Sequence, residues 1–153
     1  MNALEHRVPP PIMVMIVGAV MWLIARYTGH VPAPDGWRLS LAAAVFALGL
    51  AFLVSGFLAF RRAQTTIDPV HLHAASVLVS TGIFSFSRNP MYLGFTILLT
   101  AWALYLSSPW AMLGVVAFVL FIHRFQILPE EHVMRAKFGS AYSEYQRRVR
   151  RWL

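Results

Sequence analysis

The sequence predicts an all-α integral membrane protein. About four transmembrane helices, the last two forming a hairpin, precede a C-terminal amphipathic interfacial helix. Three observations predict this. The 153 residues are 58% hydrophobic and only 12% charged, with a mean hydropathy of +0.61, whereas an ordinary soluble domain has about 25% charged residues. The apolar residues come in runs near the length that a bilayer demands. The basic excess, 13 Lys plus Arg against 6 Asp plus Glu, sits mostly at the ends of those runs, which suits anionic lipid headgroups and topology better than nucleic acid.

The chain reads as one membrane domain over residues 1–153. The first span, 11–27, is roughly the shortest that crosses a hydrocarbon core of ~30 Å, with Arg26 and Tyr27 at its interfacial end. The N-terminus has the run Pro9-Pro10-Pro11 and no Ala-x-Ala-like site after the first apolar run, so this reads as a retained span and not a cleaved signal. Residues 31–36, Val-Pro-Ala-Pro-Asp-Gly, are rich in turn formers. The second span, 39–60, stops at Arg61-Arg62, and a polar-to-amphipathic connection over 63–90 follows. The last pair, 91–106 and 110–127, is joined by Ser107-Ser108-Pro109; the shortness of 91–106 suggests a tilted or partly re-entrant hairpin.

After Pro129, residues 129–152 read as the interfacial helix. Phe138, Tyr142, Tyr145, Val149 and Trp152 are spaced four, three, four and three, which places them on one helical face. Arg135, Arg147, Arg148 and Arg151 fall largely elsewhere, toward headgroups. Gly139 interrupts the helix propensity and marks either a bend or a close backbone approach.

Orientation follows from the cations. With both termini cytoplasmic, that side holds Arg7, Arg61, Arg62, Arg88, Arg124, Arg135, Lys137, Arg147, Arg148, Arg150 and Arg151, leaving only Arg26 and Arg38 opposite. The expected location is therefore a multi-pass protein, in the inner (cytoplasmic) membrane if the source is bacterial.

Some chemistry is excluded. With no cysteine there is no disulfide, zinc-thiolate site or cysteine nucleophile. His71 and His73 diverge on a helix and lack a third ligand at metal spacing, so no metal is expected.

Two polar clusters remain at the ends of apolar spans. Arg88-Asn89-Pro90-Met91-Tyr92-Leu93-Gly94 opens the third span. Glu130-Glu131 and Phe138-Gly139-Ser140-Ala141-Tyr142-Ser143-Glu144-Tyr145 follow the fourth. A hairpin of those spans brings the clusters to one membrane surface. Each has a purely structural reading: Asn89 as N-cap, Pro90 at the first helical position, Arg88 reaching to phosphate, and Glu130 and Glu131 complementing a helix dipole. Capping alone does not require Tyr92 or the second aromatic cluster.

Together with Ser80-Thr81-Gly82-Ile83-Phe84, these clusters resemble the C-terminal signature of the isoprenylcysteine carboxyl methyltransferase family, in a small bacterial-type form. The broader group includes membrane phospholipid methyltransferases. The resemblance covers about residues 60–153. It implies an S-adenosyl-L-methionine-dependent membrane methyltransferase. The cofactor would bind at the cytoplasmic face, and a lipophilic small molecule or lipid would arrive sideways from the bilayer as methyl acceptor; membrane lipids are partners and nucleic acid is not. Carried over by position, the implied cofactor contacts are Ser76, Val77, Leu78, Val79, Phe84, Asn89, Pro90, Tyr92 and Glu130, with Asn89 in place of a more familiar histidine. Apolar groups suit adenine, Asn89 and Tyr92 supply hydrogen bonds, and Glu130 accepts from ribose or ammonium.

On the substrate side the candidates are Arg124, Gln126 and Glu131. Carboxyl methyltransferases of this family have an arginine four residues before the glutamate; here that position is Gln126, and Arg124 points elsewhere on a helix. An amine, thiol or other lipophilic nucleophile is therefore the expected acceptor, with His123 or Glu131 as candidate base. Two other readings stay open: an NADPH-dependent membrane reductase of related fold, and a non-catalytic membrane subunit.

Overall fold

In the computed structural model, residues 9–32, 34–64 and 77–153 are described; Ser76, His71 and His73 lie outside them. Five α-helices account for most of what is described, and no strand occurs among those residues. Helix α1 (Pro10–Tyr27) begins with proline at its first position, where the missing N–H costs nothing. Helix α2 (Asp35–Arg62) starts four residues earlier than its apolar run, because Asp35 supplies first-turn charge and its carboxylate takes the Arg38 guanidinium at 2.7 Å. At 28 residues it is about 42 Å long, more than a hydrocarbon core needs. Helix α3 (Pro90–Leu106) is 17 residues, about 26 Å, and is the short apolar helix of the set.

The fourth span does not end before the tail. Helix α4 (Met112–Ile122) passes through a π-turn (His123–Ile127) into α5 (Leu128–Arg148) without a break. Pro129 was expected to separate span from tail. The wider π-turn instead absorbs it, because a proline ring clashes with the carbonyl four residues back in a regular α-helix. The direction changes later, at Gly139 (φ 52°, ψ −122°). A Cβ there would touch nothing within 4 Å, so of the two readings of this glycine the bend is right and the close approach is not. Arg135 Nη2 donates to Gln146 Oε1 at 3.0 Å across the bend; eleven residues of straight helix would separate them by about 16 Å.

Helices α2 and α3 share the most extensive interface. It is made by glycine: a Cβ on Gly49 would lie 3.1 Å from the Gly94 carbonyl oxygen, and one on Gly94 would lie 3.0 Å from that of Gly49. Two backbones in near contact gain dispersion energy that lipid cannot supply. Gly114 likewise takes the Met21 side chain between α4 and α1. Around Met21 a core forms from Tyr92, Leu99, Ala103, Ala111, Val115, Phe118, Ile122 and Ile127. Trp102 Nε1 donates to the Gly18 carbonyl at 3.0 Å, joining α3 to α1. Large apolar side chains such as Met15, Leu48, Val54, Leu113 and Leu120 are exposed on the outside. Among the described residues three helical stretches are long and apolar enough to cross a membrane, and the protein is an all-α membrane protein.

The two interhelical loops meet at one end. Val31 N–H donates to the Ser107 carbonyl at 2.8 Å, Ser107 Oγ returns to the Val31 carbonyl at 2.7 Å, and Arg38 Nη1 donates to the Tyr105 carbonyl at 2.9 Å. A cleft of about 450 Å³ opens beside this knot, lined by Trp22, Ala25, Arg26, Tyr27, His30 and Leu106. Both polar clusters lie at the opposite end.

Candidate functional site

Pro90 is the reason Tyr92 sits where it does. Its ring starts α3 at the first position, so Tyr92 falls in the first turn, buried, at the mouth of the bundle. Asn89 precedes it but does not cap the helix with its side chain. Its backbone N–H donates to the hydroxyl of fully buried Ser87 at 3.1 Å, and its amide Nδ2 donates to the Arg151 carbonyl at 3.0 Å.

Opposite Tyr92, the first turn of α5 presents two adjacent acids that go separate ways, since neighbours on a helix diverge by about 100°. Glu130 accepts a hydrogen bond from the Tyr92 hydroxyl. Burial of its carboxyl is the main reason its pKa rises to about 7; the Tyr92 bond pulls it down and the Glu131 charge pushes it up. Glu131 is buried and ion-paired: Arg151 Nε and Nη2 grip its two oxygens at 2.9 and 2.8 Å, and Arg88 Nη1 lies 3.2 Å away. Burial alone would raise this carboxyl too, but the Arg151 hydrogen bonds and the Arg88 and Arg151 charges hold it below the ordinary range. Two neighbouring carboxyls are thus driven apart in acidity.

The floor of the site is aromatic. Phe84, in the short 3₁₀ turn Gly82–Ser85, is buried and meets Phe60 edge-on at 5.2 Å. The Tyr145 hydroxyl donates to the Phe84 carbonyl at 2.7 Å. Tyr142, Tyr145 and Val149 form a buried cluster against Leu78, Met134 and Phe138, and burial pushes the Tyr142 phenol up to about 12. Val77 is exposed and Val79 half-buried.

The structure therefore brings Leu78, Phe84, Asn89, Pro90, Tyr92, Glu130 and Glu131 to one end of the bundle. On the π-turn, Gln126 is 1% exposed while Arg124 is exposed, its guanidinium 5.5 Å from the Phe125 ring centre. The helix is distorted here, and Arg124 still faces outward.

In the tail, two side chains depart from the sequence expectation. Arg151 turns inward to Glu131 instead of outward to headgroups. Trp152 leaves the face shared by Tyr142 and Tyr145, because α5 ends at Arg148 and Val149 is extended (φ −121°, ψ 130°); it packs against the Met21 core instead. The ion-paired group Arg88–Glu131–Arg151 draws on both polar clusters that the sequence marks, but nothing in the sequence separates Arg151 from Arg147, Arg148 and Arg150 as its third member. Among the described residues no cluster of three or more His, Asp or Glu side chains is placed to hold a metal.

A family model described as phospholipid methyltransferase matches residues 37–141, from the start of α2 to beyond the Gly139 bend, more than half of the chain. The chain belongs to the phospholipid methyltransferase family. Methyl transfer is the chemistry for which that family is named. Among relatives, an uncharacterized protein of Haemophilus influenzae is 48% identical over 63 residues, 41% of this chain and 100% of its own length. A probable protein-S-isoprenylcysteine O-methyltransferase of Oryza sativa subsp. indica is 33% identical over 91 residues, 58% of this chain and 46% of that protein. Protein-S-isoprenylcysteine O-methyltransferase B of Arabidopsis thaliana is 27% identical over 116 residues, 74% of this chain and 57% of its own. The chain spans about half the length of these plant relatives.

Proposed function

We propose that this methyltransferase uses S-adenosyl-L-methionine, held at the cytoplasmic end, to methylate a lipophilic acceptor that enters from the bilayer. The observation that carries the reading is the facing of Tyr92 and Glu130 from two different helices. Capping explains neither the pairing nor a carboxyl raised to about 7. The donor set suits the cofactor: Glu130 accepts from an ammonium or a ribose hydroxyl, Asn89 offers an amide, and Leu78, Val79 and Phe84 give an apolar bed. When bound, the cofactor supplies a methyl group on a sulfonium. The residues then contribute position and dryness: Phe84 and the tyrosine cluster exclude water, and Gln126 on the π-turn is buried in the bundle.

For the acceptor, Gln126 in place of a cation and the outward Arg124 favour an amine, thiol or other neutral nucleophile over a carboxylate. Glu131 is a poor proton acceptor because two arginines hold it ionised. The eleven-to-two division of cations supports the cytoplasmic assignment of this end. Calorimetric titration of the detergent-purified protein with S-adenosyl-L-methionine and with NADPH tests the reading. Saturable binding of the first alone is expected; binding of NADPH alone, or of neither, would overturn it.

A further inference from the structure

Residues 149–152 lie along the opening turn of the site motif. Arg88 N–H donates to the Arg150 carbonyl at 3.0 Å, and Asn89 Nδ2 donates to the Arg151 carbonyl at 3.0 Å. The Arg151 side chain runs the other way, to Glu131 on α5, and Trp152 packs on the cluster that contains Tyr92. One residue thus holds Asn89 with its backbone and the first turn of α5 with its guanidinium. A bidentate arginine–carboxylate pair fixes orientation as well as distance. The family match ends at residue 141, so this strap lies beyond it.

We infer that Arg151 is a positioning residue for the cofactor site, and that the 149–152 strap sets the register between the Asn89–Tyr92 turn and Glu130. The inference rests on the proposed cofactor reading. Its physical content is a coupling: Arg151 touches neither Glu130 nor Tyr92 by any bond described above, yet it anchors the residues beside both. Through Glu131 it also bears on the field at Glu130. That carboxyl is faced by Tyr92 from α3 and by Glu131 beside it, while Glu131 is in turn faced by Arg88, Arg151, Arg135 and Tyr142.

The test is S-adenosyl-L-methionine affinity of the full chain as a function of pH, measured by calorimetry. Arg151→Gln is expected to weaken binding about tenfold or more, the scale on which supporting hydrogen-bonded partners act. It should also raise the pH midpoint below which binding fades, because the Glu131 charge is then less compensated and opposes ionisation of Glu130. Glu131→Gln should move that midpoint down. Arg151→Lys, which keeps the charge but cannot form the two parallel bonds, should leave the midpoint near the wild-type value and recover only part of the affinity, and Arg147→Gln, an equal charge change on the exposed side of α5, should alter neither quantity. A purely structural strap would lower thermal stability without these opposed shifts. If Arg151→Gln does not purify folded, the lysine and Glu131→Gln variants carry the comparison. Wild-type binding with unshifted midpoints in the variants would overturn the strap alone; absence of wild-type binding would overturn the cofactor reading and the strap with it.

Discussion

Glu130→Gln keeps the shape of the side chain and removes its charge, and two consequences of opposite sign follow. The carboxyl has its pKa raised from 4.5 to about 7, chiefly by burial. Between those values the folded protein binds a proton that the unfolded chain has released. The stabilisation from that proton is therefore fully present below pH ~4.5 and is lost as pH rises through about 7. The difference between 4.5 and about 7, at about 1.4 kcal/mol per unit, gives an upper limit on the order of 3 kcal/mol. Glutamine is neutral at every pH and still accepts from the Tyr92 hydroxyl, so the variant should melt at nearly the same temperature at about pH 6 and pH 8. The wild type should melt lower at pH 8. Cofactor binding should behave in the opposite way. It needs the ionised carboxylate, so wild-type affinity should fall about tenfold from pH 8 to pH 6, as the ionised fraction falls from about 0.9 to 0.1 around a midpoint near 7. The variant should bind more weakly by about 1.5–3 kcal/mol at pH 8, the range for a lost charge-assisted hydrogen bond, and with little pH dependence. Thermal unfolding and calorimetric titration of both proteins at the two pH values give the four comparisons. If the two proteins share one pH dependence, or if Glu144→Gln on the exposed side of α5 mimics Glu130→Gln, then Glu130 is only a first-turn acid and the reasoning fails.

Three further outcomes are expected. In this cysteine-free chain, Gly36→Cys should react with an impermeant thiol reagent from outside intact cells and Ala63→Cys should not; the reverse pattern refutes the cytoplasmic assignment of the site. Gly94→Leu should cost at least about 1–3 kcal/mol and lower the thermal midpoint, since a Cβ there already meets Leu53 Cγ at 2.9 Å and the Gly49 carbonyl at 3.0 Å, whereas Gly18→Ala, whose Cβ meets nothing within 4 Å, should not. Transfer of label from S-adenosyl-L-methionine to a farnesylcysteine carboxylate should be negligible, because burying a carboxylate beside Gln126 without a cation costs several kcal/mol; robust transfer by the wild type would show that Arg124 or another cation takes the carboxylate.

The helices, their approximate ends and the two polar clusters were legible in the sequence because they depend on local quantities. Hydropathy over a dozen or more residues, proline at a first helical position and a glycine at positive φ each act through neighbours along the chain. Thus Pro90 opened α3 as residue type requires, while Gly139 was legible only as a bend or a close approach, and the structure has the bend. The continuity of α4 into α5 was not legible: a proline usually ends a helix, and only the π-turn, held by packing of Gln126 and Ile127 in the interior, lets the chain pass it. The role of Gly94 was hidden for a related reason, since its need for a missing side chain comes from Gly49 on another helix. The arginines show the division most clearly. Sequence places Arg147, Arg148, Arg150 and Arg151 alike near a membrane surface, and charge alone treats them as equivalent. Only the fold, by ending α5 at Arg148 and turning the next residues back over Asn89, makes Arg151 a partner of Glu131. An ion pair between residues 20 positions apart depends on where two segments meet in space, and no periodicity of the chain encodes that.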